Sequence, residues 1–466
     1  MPELATVLEE VKKEVRPSEE ELRDALTFYE ELKEHISESL RISSPYRIEL
    51  EGSLAKGTAL KGDLDLDVFV LIRDEDLSRE VLIQNFIKPL ELELSKHYLV
   101  RRRFASHPYL RVRKGSLEAD VVPAYWAKDL SEIRTAVDRT PFHTRYVVNH
   151  LTESMKDEVR LLKKFFKGIG VYGAEIRTQG FSGYLTELLI IKYGSFTEAL
   201  KAMKGWGEGT VVVVENCGED LATLRQFFRD DVLIVPDPVD TRRNTAAAVS
   251  KKSLTLAILA ASAFLKEPDK KFFSPPRRAL SLEHLREELR TWGRELVIVL
   301  YKMKEPVPDV TWGELRRVCS RVLRSLEVSD YPVVDCGTWS DEENFAMIAF
   351  DVVNHEKIPP FRIMSGPKKV VGEHLVRFVE KHLRSYEVGP WVDFEGRLKA
   401  LKPRSILNVE EYLRSNSHVL SCGSGEVVLI TSNLAELLRY LEGRGVDKDA
   451  VLQWLTAVVA KRLPWL

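Results

Sequence analysis

Between Glu19 and Ile36 the apolar residues return at helical spacing, with Leu22, Leu26, Tyr29, Leu32 and Ile36 on one face and charged residues on the other. Ser18, with Glu21 three residues later, predicts a capping box at the start of that helix. From Tyr46 the period drops to two through Ile48 and Leu50 and stops at Gly52-Ser53, which reads as a strand running into a glycine turn. A short helical segment is expected to about Leu60. The stretch 63–72, DLDLDVFVLI, begins by alternating and ends as an unbroken apolar run, the pattern of a strand entering a core. Further strands over 98–104, 109–112 and 117–124 would complete a small mixed sheet.

The period then turns helical over 157–193, broken around 168–173, and again over 251–265. Residues 266–278, KEPDKKFFSPPRR, concentrate prolines and cations and are the expected linker. Beyond it the patterns mix, with a strand over 295–301 and helices over 314–326 and 372–382. No internal repeat is found. At 466 residues the chain is long enough for about three folding units. The expectation is an α+β multidomain protein divided into 1–150 with a mixed sheet, 151–268 mainly helical, and 269–466 mixed α+β.

Composition narrows this only a little. Hydrophobic residues at 44% and charged residues at 30% describe an ordinary globular chain, and the net charge of −2 means that any nucleic-acid surface must come from segregated charge. The four cysteines, Cys217, Cys319, Cys336 and Cys422, show no zinc or CxxC spacing and fit a reducing interior. The first residues lack a basic segment followed by an apolar core, and the longest apolar stretch, 254–265, falls well short of the roughly 20 residues that span a bilayer. A cytoplasmic protein without a membrane segment is expected. Abundant Glu, Lys and Arg with few Cys and Met is a composition suited to a thermophile.

The chemistry gathers around residues 52–67. Strand alternation sends Asp63, Asp65 and Asp67 to one face while Leu64, Leu66 and Val68 enter the core. Neighbouring carboxylates repel, a divalent cation removes that cost, and Mg²⁺ typically binds one or two carboxylates together with substrate phosphates. Gly52 permits close backbone approach, and N–H groups at a helix start favour phosphate oxygens. Asp120, within LEADVVPAY, offers a third carboxylate from another strand, as two-metal transfer to a 3′-hydroxyl requires. An isolated Asp-x-Asp is commonly a solvated strand face. It is the order of strand, Gly-Ser, short helix and Asp-x-Asp opening an apolar strand that carries the reading. Periodicity leaves two registers open, Asp63 with Asp65 or Asp65 with Asp67.

Gly52-Ser53, eleven residues and then Asp65-Leu66-Asp67-Val68 resembles the signature of polymerase β-like nucleotidyltransferases. The wider series is similar in order and spacing to the archaeal-type (class I) CCA-adding enzymes over roughly residues 45 to 250. It runs through GSLAKGTALKGDLDLDVFVLI, HPY at 107–109, DVVPAY from Asp120, AVDRTPFHT from Ala136, RLLKKFFKGIGVYGAE from Arg160, GFSGYLTELLI from Gly180 and DPVDTRRN from Asp237. The resemblance implies a catalytic nucleotidyltransferase head in 1–150, a helical neck in 151–268 and a tRNA-binding body and tail in 269–466. It implies addition of C, C and A to tRNA 3′ ends from CTP and ATP without a template, with Mg²⁺ as cofactor and release of pyrophosphate.

By the same resemblance Asp65, Asp67 and Asp120 are the catalytic metal carboxylates. Gly52, Ser53, Lys56, His107, Thr140, His143, Lys163 and Tyr172 contact triphosphate or sugar, and Arg243 reads the base, although Arg242 beside it is not separated by periodicity. Lys56 stands where the family pattern has an arginine, and Thr144 follows His143 where a second histidine occurs, which puts bidentate phosphate contacts there in doubt. The partners implied are the tRNA acceptor end, CTP and ATP, and a homodimer is an assembly it allows. Arg101, Arg102, Arg103, Arg111, Arg113 and Lys114 suit a general surface as well as RNA phosphate. The rival readings are a poly(A)-polymerase-like transferase sharing the core and a catalytically silent RNA-binding protein.

Overall fold

The computed structural model describes residues 3–40, 44–73, 78–104, 108–216, 218–276, 279–383 and 388–466. The chain divides into two compact units, residues 1–276 with 464–466, and residues 277–463. The fold is α+β in both.

The first unit is built on a five-stranded sheet of β1 (Tyr46–Glu51), β2 (Leu66–Ile72), β3 (Leu99–Phe104), β4 (Pro108–Lys114) and β5 (Leu117–Tyr125), in the order β1-β2-β5-β4-β3. Only the β2–β5 pair is parallel; the others run antiparallel. Alternation along β2 gives its two faces different work. Leu66, Val68, Val70 and Ile72 join Val112, Ala119 and Val121 in a core closed by the helix Glu19–Ser39, while Phe69 and Leu71 pack with Ala124 on the other side. Asp67 shares that second face.

The Ser18–Glu21 capping box forms, with the Ser18 hydroxyl accepting from the Glu21 N–H and the Glu21 carboxylate accepting from the Ser18 N–H. The apolar face of the helix differs from the expected one by a small rotation. Ala25, Phe28, Leu32 and Ile36 are buried, and Leu26 is 48% exposed, because Ala25 and Phe28 centre the stripe one residue away from Leu26. A second correction concerns β2, which starts at Leu66 rather than Asp63. Asp63 instead closes a tight turn with Leu60 and ion-pairs with Lys167. The helical segment after β1 is a single turn, Gly52–Ala55.

Behind the sheet the chain becomes helical, with Thr140–His150, Glu153–Gly168, Gly183–Tyr193, Phe196–Met203 and Lys251–Lys266. Two short parallel strands, β6 (Thr210–Val211) and β7 (Leu233–Ile234), carry a loop back toward them. The expected linker is only partly one. Phe272 and Phe273 are buried against Phe165, Phe196 and Phe264, so the aromatic half of KKFFSPPRR is core of the first unit.

In the second unit the strand expected over 295–301 is β8 (Arg294–Met303). It lies in a four-stranded antiparallel sheet with β9 (Val333–Ser340), β10 (Phe345–Val353) and β14 (Gly425–Thr431), ordered β14-β8-β10-β9. A smaller sheet pairs β11 (Phe361–Ser365), β13 (Leu398–Pro403) and β12 (Val388–Val392). The helices expected over 314–326 and 372–382 form as Pro308–Val328 and Gly372–Leu383. Most of the strands escape a period-two reading: β10, FAMIAFDVV, is buried on both faces and shows no alternation. Cys319 and Cys336 are bonded to each other, a pairing that the cysteine spacing did not announce.

Candidate active site

The register of the sheet places Glu51 opposite Asp67, Asp67 opposite Asp120, and Asp120 opposite Arg111. Residues directly opposite on neighbouring strands share a face, so three carboxylates and a guanidinium form one transverse row. Asp65 lies just before β2, two residues from Asp67. Asp63 is drawn away by Lys167, so the structure gathers Asp65 and Asp67 and leaves Asp63 aside.

The electrostatics of the row are unfavourable as it stands. Burial and the charge of Asp120 push the Asp67 carboxyl up to about 6, with Lys56 pulling the other way. Asp65 is raised by burial and by Asp63 and Asp120. Asp120 is held differently, since Arg111 donates to both of its oxygens at 2.8 Å. No group of three His, Cys, Asp or Glu side chains among the described residues is disposed to hold an ion by itself. Asp67 and Asp120 in the row and Asp65 beside it are therefore neighbours and not a preassembled cage. Two repelling carboxylates at a surface fit the mode in which a hard cation takes one or two protein oxygens and completes its shell with phosphates and water.

Gly52 has a structural reason to be glycine. Its φ is +69°, and a Cβ there would overlap the Asp67 carboxylate. Ser53 and Lys56 follow on the same turn. The Lys56 ammonium is buried and donates to Glu187 Oε2 at 2.8 Å. Glu187, 1% exposed on the helix Gly183–Tyr193, also accepts from the Thr58 hydroxyl at 2.6 Å and from Lys163 Nζ at 3.2 Å. Burial opposes the charge of Glu187, but Lys56 and Lys163 outweigh it and hold the carboxyl at about 2. Burial also draws Lys163 below the usual lysine range, with Glu187 resisting. Lys56 also acts on the row, drawing the Asp67 and Glu51 carboxyls down against the upward push of burial.

Tyr172 and Lys163 converge on Gly183: a Cβ added there would stand 3.1 Å from the Tyr172 hydroxyl and 3.9 Å from Lys163 Nζ. Thr140 opens the helix Thr140–His150, one turn before His143 on the same face. His143 stacks on Tyr184 with ring centres 4.0 Å apart, and Lys56 Nζ lies 5.8 Å from the same tyrosine ring. His143 Nε2 meets Asp237 Oδ2 at 2.9 Å, and Arg243 Nη1 lies 3.6 Å from that oxygen. His143, Tyr184 and Arg243 thus all gather on the Asp237 carboxylate. Arg242 points away, 82% exposed beside Asp240. His107 lies outside the described residues.

Sequence reasoning missed Glu51, Tyr184, Glu187 and Asp237, and read Arg111 as a surface or RNA-phosphate cation rather than as the partner of Asp120. Glu51 is 3% exposed with Oε2 unpartnered, and burial pushes its carboxyl up to about 7. A signal existed for two of them: Glu187 stands inside the apolar helix GYLTELLIIKY, and Asp237 directly follows the buried run LIVP, where an isolated charge implies a buried partner.

Three family descriptions match the chain: a nucleotidyltransferase domain over residues 30–143, the second domain of a tRNA nucleotidyltransferase over 157–274, and the C-terminal domain of a CCA-adding enzyme over 292–435. A curated CCA-adding enzyme of Saccharolobus shibatae is 37% identical over 88% of this chain and 91% of its own. That of Sulfurisphaera tokodaii is also 37% identical, over the same shares. The CCA-adding enzyme of Pyrobaculum neutrophilum is 35% identical over 89% of this chain and 94% of its own. Among solved structures, an RNA terminal U-transferase aligns with 58% of this chain and 98% of its own at 16% identity and a TM-score of 0.46, a likeness too weak to argue from.

Proposed function

Because this chain belongs to the family of CCA-adding enzymes, we propose that it adds C, C and A to the 3′ end of tRNA from CTP and ATP, without a template and with release of pyrophosphate. The observation that carries the chemistry is the row Glu51, Asp67, Asp120 with Asp65 beside it and Lys56 acting on Asp67 against the push of burial. An aligned pocket that neutralises a triphosphate at one end and holds carboxylates at the other needs little more for nucleotidyl transfer than correct positioning.

In this reading Asp65 and Asp67 hold a divalent cation, Mg²⁺, shared with the triphosphate, and Asp120 is the third carboxylate, beside the attacking 3′-hydroxyl. The cation would neutralise phosphate charge and favour the ionised form of the attacking oxygen. Arg111 competes for Asp120, so Asp120 joins the site when its pairing is exchanged for substrate. Ser53, Lys56, Lys163 and Tyr172 orient the triphosphate, Thr140 and His143 the sugar, and Arg243 the base, with His107 assigned to the nucleotide on family resemblance alone. Gly52 keeps the turn open above Asp67. The division into a head over 1–150, a neck over 151–268 and a tRNA-binding region over 269–466 is the organisation we propose for the substrate complex. No helix among the described residues is long and apolar enough to cross a membrane.

The direct test supplies tRNA lacking CCA with labelled CTP and ATP and Mg²⁺. Extension by three nucleotides is expected. With ATP alone, such tRNA should scarcely extend; absence of extension with both nucleotides, or open-ended addition of A, would contradict the assignment.

A further inference from the structure

Arg243 can distinguish one base edge from another only if its donors are held in one orientation, because a loosely placed guanidinium finds acceptors on any base. The structure sets one buried carboxylate beside it. Asp237 is fully buried, and its carboxylate gathers four partners. Oδ1 accepts from the Tyr184 hydroxyl at 3.0 Å and from the Val239 N–H at 2.9 Å, while Oδ2 faces His143 Nε2 at 2.9 Å and Arg243 Nη1 at 3.6 Å. Burial opposes ionisation, yet these donors hold the carboxyl below its usual range. An ionised carboxylate only accepts, so His143 carries a proton on Nε2 and donates it to Asp237.

The backbone repeats the same link. The Asp237 N–H donates to the Arg243 carbonyl at 2.9 Å, closing a loop over 237–243 whose ends are pinned by Asn244. The Asn244 side chain accepts from the N–H groups of Val235 and Ala246 and donates to the Leu233 carbonyl and to Asp231. Arg243 therefore starts from a rigid backbone and ends beside a rigid anion.

We propose that Asp237 is the positioning residue for base selection, fixing Arg243 and His143 through one buried carboxylate so that the incoming base meets a single arrangement of donors. The proposal rests on the assignment of Arg243 to the base. It predicts that Asp237→Asn, which keeps the shape and removes the charge, raises KM for CTP and ATP about tenfold while kcat stays within about twofold. Discrimination against UTP should fall by a similar factor. Because Asp237 acts on the base through Arg243, the double variant Asp237→Asn/Arg243→Ala should discriminate against UTP no worse than Arg243→Ala alone, whereas independent selectivity defects multiply.

Thermal melting is recorded for each variant. Should Asp237→Asn melt below the assay temperature, Tyr184→Phe, which takes one donor from the carboxylate, should show the same KM effect at about two- to threefold; unchanged KM and selectivity in it would overturn the proposal. An unimpaired Asp237→Asn beside an impaired Arg243→Ala, or losses that multiply in the double variant, would also overturn it while leaving the base-reading role of Arg243 intact. Wild-type KM and selectivity in Arg243→Ala would remove that role, and the task assigned to Asp237 with it.

Discussion

Two groups of charge lie within the first unit, and they meet the cost of burial in opposite ways. Around Glu187 and Asp237 every carboxylate is surrounded by donors: Lys56, Lys163 and Thr58 for the first, His143, Tyr184, Arg243 and a backbone N–H for the second. Both carboxyls are held below their ordinary range. Along the sheet, Asp65, Asp67 and Glu51 stand next to like charges, and all three are raised. In the first arrangement each carboxylate is fully supplied with donors. The second is incomplete without positive charge from outside the chain, and such incompleteness is a mark of a working site.

The comparison breaks most visibly at Asp67. Asp67→Ala should lower nucleotide transfer by at least about a thousandfold, the scale seen when a preorganised charge at a reacting phosphate is lost. Affinity for tRNA, measured by filter binding, should stay within about twofold. Normal turnover in this variant would show that the row is not catalytic.

The next largest effect should fall on the paired side and on stability. Glu187→Gln leaves two buried lysines facing a neutral group, and breaking a buried pair costs about 3–5 kcal/mol. Chemical denaturation of the first unit should move to lower denaturant by a corresponding amount. A shift under about 1 kcal/mol would mean that the lysines are solvated and that the two groups do not differ in how they meet burial.

The pH dependence separates the two groups by sign. Asp67 and Glu51 have folded-state values near 6 and 7, above those of an unfolded chain, so the folded state binds their protons more tightly. Their charge opposes folding above those values and ceases to do so below about pH 4. Without divalent ions, Asp67→Asn should therefore melt higher than the parent at pH 8, and the advantage should vanish by about pH 4. Glu187 behaves inversely: its stabilisation is present above the ordinary glutamate value and is lost as pH falls toward about 2. Adding Mg²⁺ with CTP should raise the melting temperature of the parent and not of Asp67→Asn. Equal responses in the two proteins would separate ligand binding from the row.

The smallest effect should come from Arg242→Ala. Its side chain is exposed beside Asp240, and exposed pairs contribute about 0–1 kcal/mol. Transfer and base selectivity should change by less than about twofold. A larger loss than in Arg243→Ala would reverse the assignment of the two arginines.

Much of the fold was legible where periodicity is clean. The capping box at Ser18, the strands of the first sheet, the helix read from Asp157, which starts at Glu153, and the helix from Lys251 follow from local patterns whose physics is local. The four-stranded sheet of the second unit was mostly illegible, because strands buried on both faces carry no alternation. The boundary around residues 266–278 was read from its prolines, while Phe272 and Phe273 take part in a core that no local rule anticipates.

The site divides in the same manner. Spacing and residue type determined by themselves that Gly52-Ser53 and an Asp-x-Asp pair belong together, because a phosphate cradle and a cation site impose short-range chemistry on the chain. Which aspartates are neighbours, why position 52 must lack a Cβ, and which of two adjacent arginines turns inward were decided by tertiary structure alone. These depend on strand register and on buried partners such as Asp237 and Glu187, which lie far along the chain from the groups they hold and adjoin them only once the sheet and helices have packed.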